Sequence, residues 1–446
     1  MSVVMKFGGT SVADPDAIER LIAIVRKERA PVVVVSALAK VTDELVAVAG
    51  LAEAGEAVRA AAALQQQLDR HLAVATAVTT ANREQTLAHV RAEFDELIGL
   101  VHALAVLREV SPRSLDAVLS IGEVVSSRIV VAALADHGVP AEWIDARSVL
   151  VTDAEHNGAA PDMEATRARV QASVVPHTAR GGTVVLGGFV GSTGGGLTTT
   201  LGRGGSDYSA AIFGASIGAH EIQIWTDVDG MLTADPRVVP KPRLVPRLTF
   251  AEASELAYFG AKVLHPSTIL PAVDRNIPVR ILNSRRPDNP GTLITADSAA
   301  AGGPLAALAC KRDVTVVDIT STRMLMAHGF LRRLFEVFER FKTAVDVVTT
   351  SEVSVSVTVD DTRRLDAVVE NLQHFAEVSL EPEMAIICAV GENLRSDPTL
   401  FARAVTSLGC VPLRLVSQAA SRRNITFVLR DGDVPQAMAQ LHEAFF

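Results

Sequence analysis

Short apolar runs alternate with amphipathic stretches along the first two-thirds of the chain. Val3-Val4-Met5-Lys6-Phe7 predicts a strand over 3–7, with Gly8-Gly9-Thr10-Ser11 as the turn that follows it. Asp14-Pro15 then opens a helix, Asp as the cap and Pro at the first helical position, and apolar residues at 18, 21, 22 and 25 give it a buried face. Pro31-Val32-Val33-Val34-Val35 reads as a second, fully buried strand. Strand, helix, strand is a βαβ unit, which builds parallel sheets with sites at the strand C-terminal ends. Residues 44–108 are alanine-rich and predict a helical layer, and 115–135 another helix. Strands are expected again at 141–144, 183–186, 221–225 and 279–282, and a helix at 251–259.

Composition shifts at 296–304, the best linker candidate, and a different rhythm follows. Strand 314–319, helix 330–341, strands 345–350 and 353–359, helix 362–375 and strand 378–380 make one βαββαβ unit. A second unit starts at 384–390 and ends one strand short; the apolar segment 305–309 would complete it, nesting the first unit inside the second. The expected class is therefore α/β: a first domain over 1–295 with a mostly parallel sheet, then two ferredoxin-type βαββαβ domains over 314–382 and over 305–313 plus 383–446.

Composition narrows the function. With 446 residues, 48% hydrophobic and 21% charged, the chain can bury several cores. A net charge of −9 argues against a nucleic-acid partner. No signal-like N-terminus and no run of 18 apolar residues are seen, so no membrane partner and a cytoplasmic location are expected. Cys310, Cys388 and Cys410 lack metal or redox spacing and read as buried thiols.

The chemistry gathers in two places. Nine of the 30 glycines fall between Gly187 and Gly205, and the run ends in Arg203-Gly204-Gly205-Ser206-Asp207, which reads as a capped helix start. Glycine amides feeding a helix N-terminus suit an anion, and the Arg203 guanidinium suits a carboxylate or phosphate. At the other place Lys6 precedes Gly8 and Gly9, a point charge beside two close-approaching amides, as a polyphosphate needs. A second group (Thr226, Asp227, Arg237, Lys262) sits on later loops. Glu123 and Asp207 would complement Arg203 in reading a zwitterion. No GxxxxGK[ST], GxGxxG, HExxH or GxSxG is present, so P-loop, dinucleotide, zinc-protease and serine-nucleophile readings lack support.

Over nearly its whole length the chain resembles the aspartate kinases. The resemblance rests on Lys6-Phe7-Gly8-Gly9-Thr10-Ser11, Gly122-Glu123, Leu201-Gly202-Arg203-Gly204-Gly205-Ser206-Asp207-Tyr208, Trp225-Thr226-Asp227-Val228-Asp229-Gly230, Asp235-Pro236-Arg237 and Phe259-Gly260-Ala261-Lys262-Val263-Leu264-His265-Pro266. It implies the amino acid kinase fold followed by a pair of ACT domains. It also implies phosphorylation of the L-aspartate β-carboxylate by ATP with Mg²⁺. That carboxylate, with a pKa of about 4, needs no general base. The resemblance assigns Lys6, Gly8, Gly9 and Asp207 to catalysis around the β- and γ-phosphates and Mg²⁺, with no protein metal-ligand set identified. Thr42, Glu123, Arg203 and Ser206 fall to aspartate, and Ser36, Thr226, Asp227, Arg237 and Lys262 to the nucleotide. Leu232 departs from a tyrosine common in relatives.

In the tail, Thr349-Thr350-Ser351-Glu352-Val353-Ser354-Val355 resembles the lysine-inhibited members. Matching effector positions are Met324, Phe330, Leu331, Val345 and Asp346, with Asp346 suited to an ammonium group. Ala327 replaces a usual serine, which leaves threonine or no effector as alternatives to lysine. A homodimer or homotetramer through the ACT sheets is implied, and the end at Phe446 implies no fused homoserine dehydrogenase. Competing readings are a glutamate or acetylated-amino-acid kinase of the same fold, and an amino-acid sensor with an inactive kinase domain.

Overall fold

The computed structural model describes residues 2–260, 266–296, 305–321, 328–418 and 421–446. It divides into two compact units. One holds residues up to Met231 with Pro246–Ala253 and Val263–Ser298; the other holds Leu232–Val245, Ser254–Lys262 and Ala299–Phe446.

The first unit is built on an eight-stranded sheet. Its order is Ala141–Trp143, Thr183–Gly187, Val32–Val35, Val3–Phe7, Glu221–Thr226, Val279–Asn283, Thr292–Thr295 and Arg247–Thr249. The first six strands run parallel, and Thr292–Thr295 is antiparallel to Val279–Asn283. Every residue of Val3–Phe7 and Val32–Val35 is buried, as continuous apolar strands covered on both faces require. Phe7 pairs with Val35 on one side and Trp225 on the other, so the chain leaves three neighbouring strands at one edge. The helix Pro15–Val25 starts as expected, Asp14 accepting the Ala17 amide at 2.8 Å.

The alanine-rich layer resolves into Val41–Glu53, Ala57–Val78 and Arg83–Leu107, packed with the long helix Pro112–Asp136. That last helix is long and apolar enough to cross a membrane by length and mean hydropathy, although charged and polar residues interrupt it and it holds no run of 18 apolar residues. However, 78% of its most apolar window is buried inside the protein, so its apolar surface is used in the core.

The glycine-rich stretch carries a hairpin, Val190–Thr193 with Thr198–Thr200, which pairs with Val151–Thr152 in a small three-stranded sheet. Strands of two to four residues are too short to show a period.

The second unit has a six-stranded sheet in the order Val348–Thr350, Ser354–Val359, Ala307–Thr320, Glu377–Val390, Asn424–Arg430, Leu415–Ser417. Two pairs of expected strands are each one long strand here, because an irregularity rather than a turn separates their halves. Ala307–Thr320 shifts register between Lys311 and Val314. Its first half pairs with Ile386–Val390, and its second half pairs with both Val378–Glu381 and Ser354–Val359. Two helices, Phe330–Arg340 and Leu365–Gln373, cover one apolar cluster; Pro398–Ser407 and Val434–Phe445 cover another.

Candidate active site

A cavity of about 580 Å³ opens at the C-terminal strand edge of the first unit. Lys6, Gly9, Ser36, Thr42, Glu123, Arg203, Ser206 and Asp207, far apart in sequence, all line it. The parallel register explains the convergence. Lys6 ends one strand, Ser36 follows the next, and the Gly205–Ile217 helix points its N-terminus at the same edge.

Lys6 is mostly buried, and its Nζ stands 2.7 Å from Asp207 Oδ1. The pair holds an ammonium group at the cavity wall with its charge balanced until an anion arrives. Asp207 lies in the first turn of the Gly205–Ile217 helix, where a negative group also meets the positive helix end. The cap of that helix is Gly204 with φ 72°. Ser206 and Asp207 are thereby freed of capping and line the cavity.

Gly8 is a correction. Its amide donates to the Trp225 carbonyl at 3.0 Å, locking the turn to the neighbouring strand. Of the two expected phosphate-facing glycines, Gly9 lines the cavity.

Glu123 is fully buried on the inner face of the Pro112–Asp136 helix, not exposed as its helical position alone allowed. Burial pushes its carboxyl up to about 8, against the Ala37 amide and the Lys6 charge, which favour ionisation. Its Oε2 has no hydrogen-bond partner among the described residues. A buried, unsatisfied carboxyl facing a cavity is poised for a cationic group.

The remaining expected positions fall as follows. Thr226 ends the strand beside Val3–Phe7, and Asp227 follows it on the same edge. Arg237 belongs to the second unit and is well exposed, its guanidinium held in a two-point pair by Asp235. Lys262 and Met324 lie outside the described residues. Phe330 is buried in the apolar cluster, edge-on to Phe375 with ring centroids 5.8 Å apart, while Leu331 is exposed. Val345 packs partly buried against the same cluster. The Asp346 side chain is 3% exposed and already paired within the chain, Oδ1 accepting Lys311 Nζ at 2.8 Å and Tyr258 Oη at 2.9 Å. Burial first and the Asp346 hydrogen bond second push the Tyr258 hydroxyl up to about 12.

Asn157, Phe189 and Thr200 also line the cavity and were missed. Phe189 sits at φ 65°, uncommon for a bulky residue, and its amide is held by Ser209 Oγ at 2.9 Å. Its place directly after Gly187-Gly188 was the available signal.

Among the described residues no three His, Cys, Asp or Glu side chains gather as a metal cluster. Asp43, Glu123 and Asp207 are the carboxylates that line the cavity.

The amino acid kinase family model matches residues 1–283, and an ACT domain model matches 387–445. The chain is 36% identical to lysine-sensitive aspartokinase 3 of Escherichia coli, covering 100% of this chain and 99% of that protein. It is 37% identical to chloroplastic aspartokinase 1 of Arabidopsis thaliana, covering 100% of this chain and 80% of that one. The crystal structure of E. coli aspartokinase III with aspartate and ADP, described as its R-state, superposes with a TM-score of 0.84 at 35% identity, over 100% of this chain and 99% of that one. A structure of the same enzyme with lysine and aspartate, its T-state, gives 0.83 at 34%, again over 100% and 99%.

Proposed function

The chain belongs to the amino acid kinase family and, within it, to the aspartokinases, and on that footing we propose that it phosphorylates the β-carboxylate of L-aspartate with ATP under feedback by lysine. The observation that carries the acceptor reading is the cavity that Arg203 and the unsatisfied Glu123 share with the Lys6–Asp207 pair.

In this reading the aspartate α-carboxylate meets the Arg203 guanidinium and its ammonium meets Glu123, with Thr42 and Ser206 hydroxyls closing around it. The β-carboxylate is left free to point at the nucleotide. An ionised β-carboxylate oxygen bonds to the γ-phosphorus, the bond from phosphorus to the β–γ bridging oxygen breaks, and ADP leaves with that oxygen. No proton is transferred. The chain therefore supplies charge and alignment rather than a base. Lys6 neutralises charge developing on the transferred group, and the Gly9 amide and Ser36 hydroxyl stand on the same wall. Asp207 would help to hold Mg²⁺, directly or through water, and the ion would supply screening of the phosphate charge. Thr226 and Asp227, with Arg237 and Lys262, are assigned to the nucleotide.

Regulation is assigned to the second unit. Met324, Phe330, Leu331, Val345 and Asp346 are assigned to the effector, and lysine would compete with Lys311 for the Asp346 carboxylate. The two sheet halves are read as two ACT domains, and their exposed edge strand Val348–Thr350 as the contact of a homodimer or homotetramer.

The test is ADP release from Mg-ATP with L-aspartate, L-glutamate and N-acetyl-L-glutamate offered separately, with and without lysine or threonine. Turnover on aspartate alone, suppressed by lysine, is expected. Turnover on another acid, or none, overturns the acceptor assignment; indifference to lysine overturns the effector.

A further inference from the structure

Asp116 is a fully buried carboxylate that the mechanism above does not use. It sits on the Pro112–Asp136 helix, two turns before Glu123. Its oxygens accept four protein hydrogen bonds: His156 Nδ1 at 2.6 Å, the Asn157 amide at 3.1 and 3.3 Å to its two oxygens, and Thr200 Oγ1 at 2.5 Å. The donors come from two other elements, the connection after Val151–Thr152 and the strand Thr198–Thr200. Burying a carboxylate is costly, and so dense a set of donors implies a position that must be held.

What is held is the wall that carries Arg203. Asn157 and Thr200 both line the cavity. The Thr200 carbonyl accepts the Ala159 amide at 2.9 Å, tying the connection to the strand a second time. Asn157 adopts φ 67°, and its carbonyl oxygen lies 3.0 Å from where a side chain at position 202 would start. Gly202, at φ 74°, is the residue that fits there, and Arg203 follows it directly. Downstream on the Asp116 helix, Leu119 and Glu123 reach the same cavity. One carboxylate thus joins the helix bearing Glu123 to the loop bearing Arg203.

We infer that Asp116 is a positioning residue that sets the spacing between Arg203 and Glu123, and so the fit of the amino-acid acceptor, through His156, Asn157 and Thr200. The inference rests on the acceptor reading of those two residues. The Lys6 and Gly9 side of the cavity hangs on other strands, so the nucleotide is bound independently of this clamp.

The experiment measures KM and kcat for both substrates, calorimetric Kd for aspartate and for Mg-ATP, and the melting temperature. It compares wild type, Asp116→Asn, His156→Phe and His156→Asn. Asp116→Asn is expected to raise KM and Kd for aspartate about tenfold or more, since sub-ångström misplacement of a binding group is felt strongly. The values for Mg-ATP should stay within about twofold. His156→Phe, milder toward folding, should show the same selectivity, and His156→Asn, which restores a nitrogen donor near the Nδ1 position, should recover part of the loss. Equal changes for both substrates, tracking the melting temperature, would reduce Asp116 to a structural role and overturn the inference. So would unchanged aspartate binding in both Asp116→Asn and His156→Phe. A wild type that binds no amino acid at all overturns the acceptor reading and this inference with it. An acceptor other than aspartate overturns only the former, and the split is then read with that acid.

Discussion

At the scale of single residues, the chemistry is a matter of charges kept in unusual states. In the acceptor role proposed for it, Glu123 would meet an ammonium group only when ionised, and burial holds its carboxyl up to about 8. Below that pH the enzyme must lose a proton to bind aspartate. The expected outcome is a kcat/KM for aspartate that rises about tenfold per pH unit below 8, levelling above it. In Glu123→Gln the profile should flatten, and KM for aspartate at pH 8 should rise about 10- to 100-fold, the worth of one charge-assisted contact. The same shift bears on stability. A folded value near 8 against an ordinary 4.5 means that the contribution from Glu123 is fully present below 4.5 and is lost as pH rises through 8. Glu123→Gln should therefore melt higher than wild type above pH 8, as calorimetry at pH 6 and 9 would read. Lys6 is assigned to the other substrate. Lys6→Met should lower kcat by about 10²- to 10³-fold, as removal of a transition-state charge partner does, and leave calorimetric aspartate affinity near wild type.

The elements deliver those residues through close backbone approach. A side chain begun at Gly188 would come within 2.8 to 2.9 Å of Ser206 Cβ and Cα, at the start of the helix that carries Asp207. A backbone atom cannot move aside as a flexible side chain can. Gly188→Ala should cost about 1–3 kcal/mol of stability, and should raise KM for aspartate. Gly194→Ala is the control, since a side chain at Gly194 meets nothing within 4 Å, and it should be neutral in melting temperature and in kinetics. This hairpin also marks how far the sequence could be read. The strands of the main sheet were visible because Val3–Phe7 and Val32–Val35 are apolar throughout. The eight predicted residues that line the cavity were found because each stood beside a glycine pair, a strand end or a motif. Asn157 and Thr200 carry no such local mark. They matter through Asp116, some 40 and 80 residues away, and only a fold brings such partners together. Gly8 misled for a related reason: whether an amide is free depends on the neighbouring strand, and its partner is Trp225, over 200 positions on.

For the molecule as a whole, the division of the chain does not follow the order of its functions. Leu232–Val245 and Ser254–Lys262 belong to the second unit although they lie within the span that matches the kinase family model. These are the segments that carry Arg237 and Lys262, two of the four later positions assigned to the nucleotide. Within that unit their attachment is specific. Thr233 Oγ1 lies 2.8 Å from His442 Nε2, and the Thr233 carbonyl accepts the Leu308 amide at 2.8 Å. Ala234 and Val239 are buried in the cluster under the Val434–Phe445 helix. Glu255 accepts from Asn424 Nδ2 at 2.7 Å. An effector that favours one arrangement of this unit can therefore act on the segment that holds Arg237 along the chain itself, without a separate messenger. It can act only by its differential affinity for two arrangements. Two outcomes follow. Asp346→Asn, which removes the charge offered to a lysine ammonium, should raise the half-inhibitory lysine concentration about tenfold or more while kcat stays near wild type. His442→Phe, which breaks the tie to Thr233 and leaves Asp346 intact, should still bind lysine by calorimetry. Its inhibition should nonetheless be weaker, by about the five-fold or more that a coupling of 1 kcal/mol or above represents. Undiminished inhibition in His442→Phe would mean that the coupling runs elsewhere in the unit, with the Tyr258–Asp346 hydrogen bond next to be broken, by Tyr258→Phe.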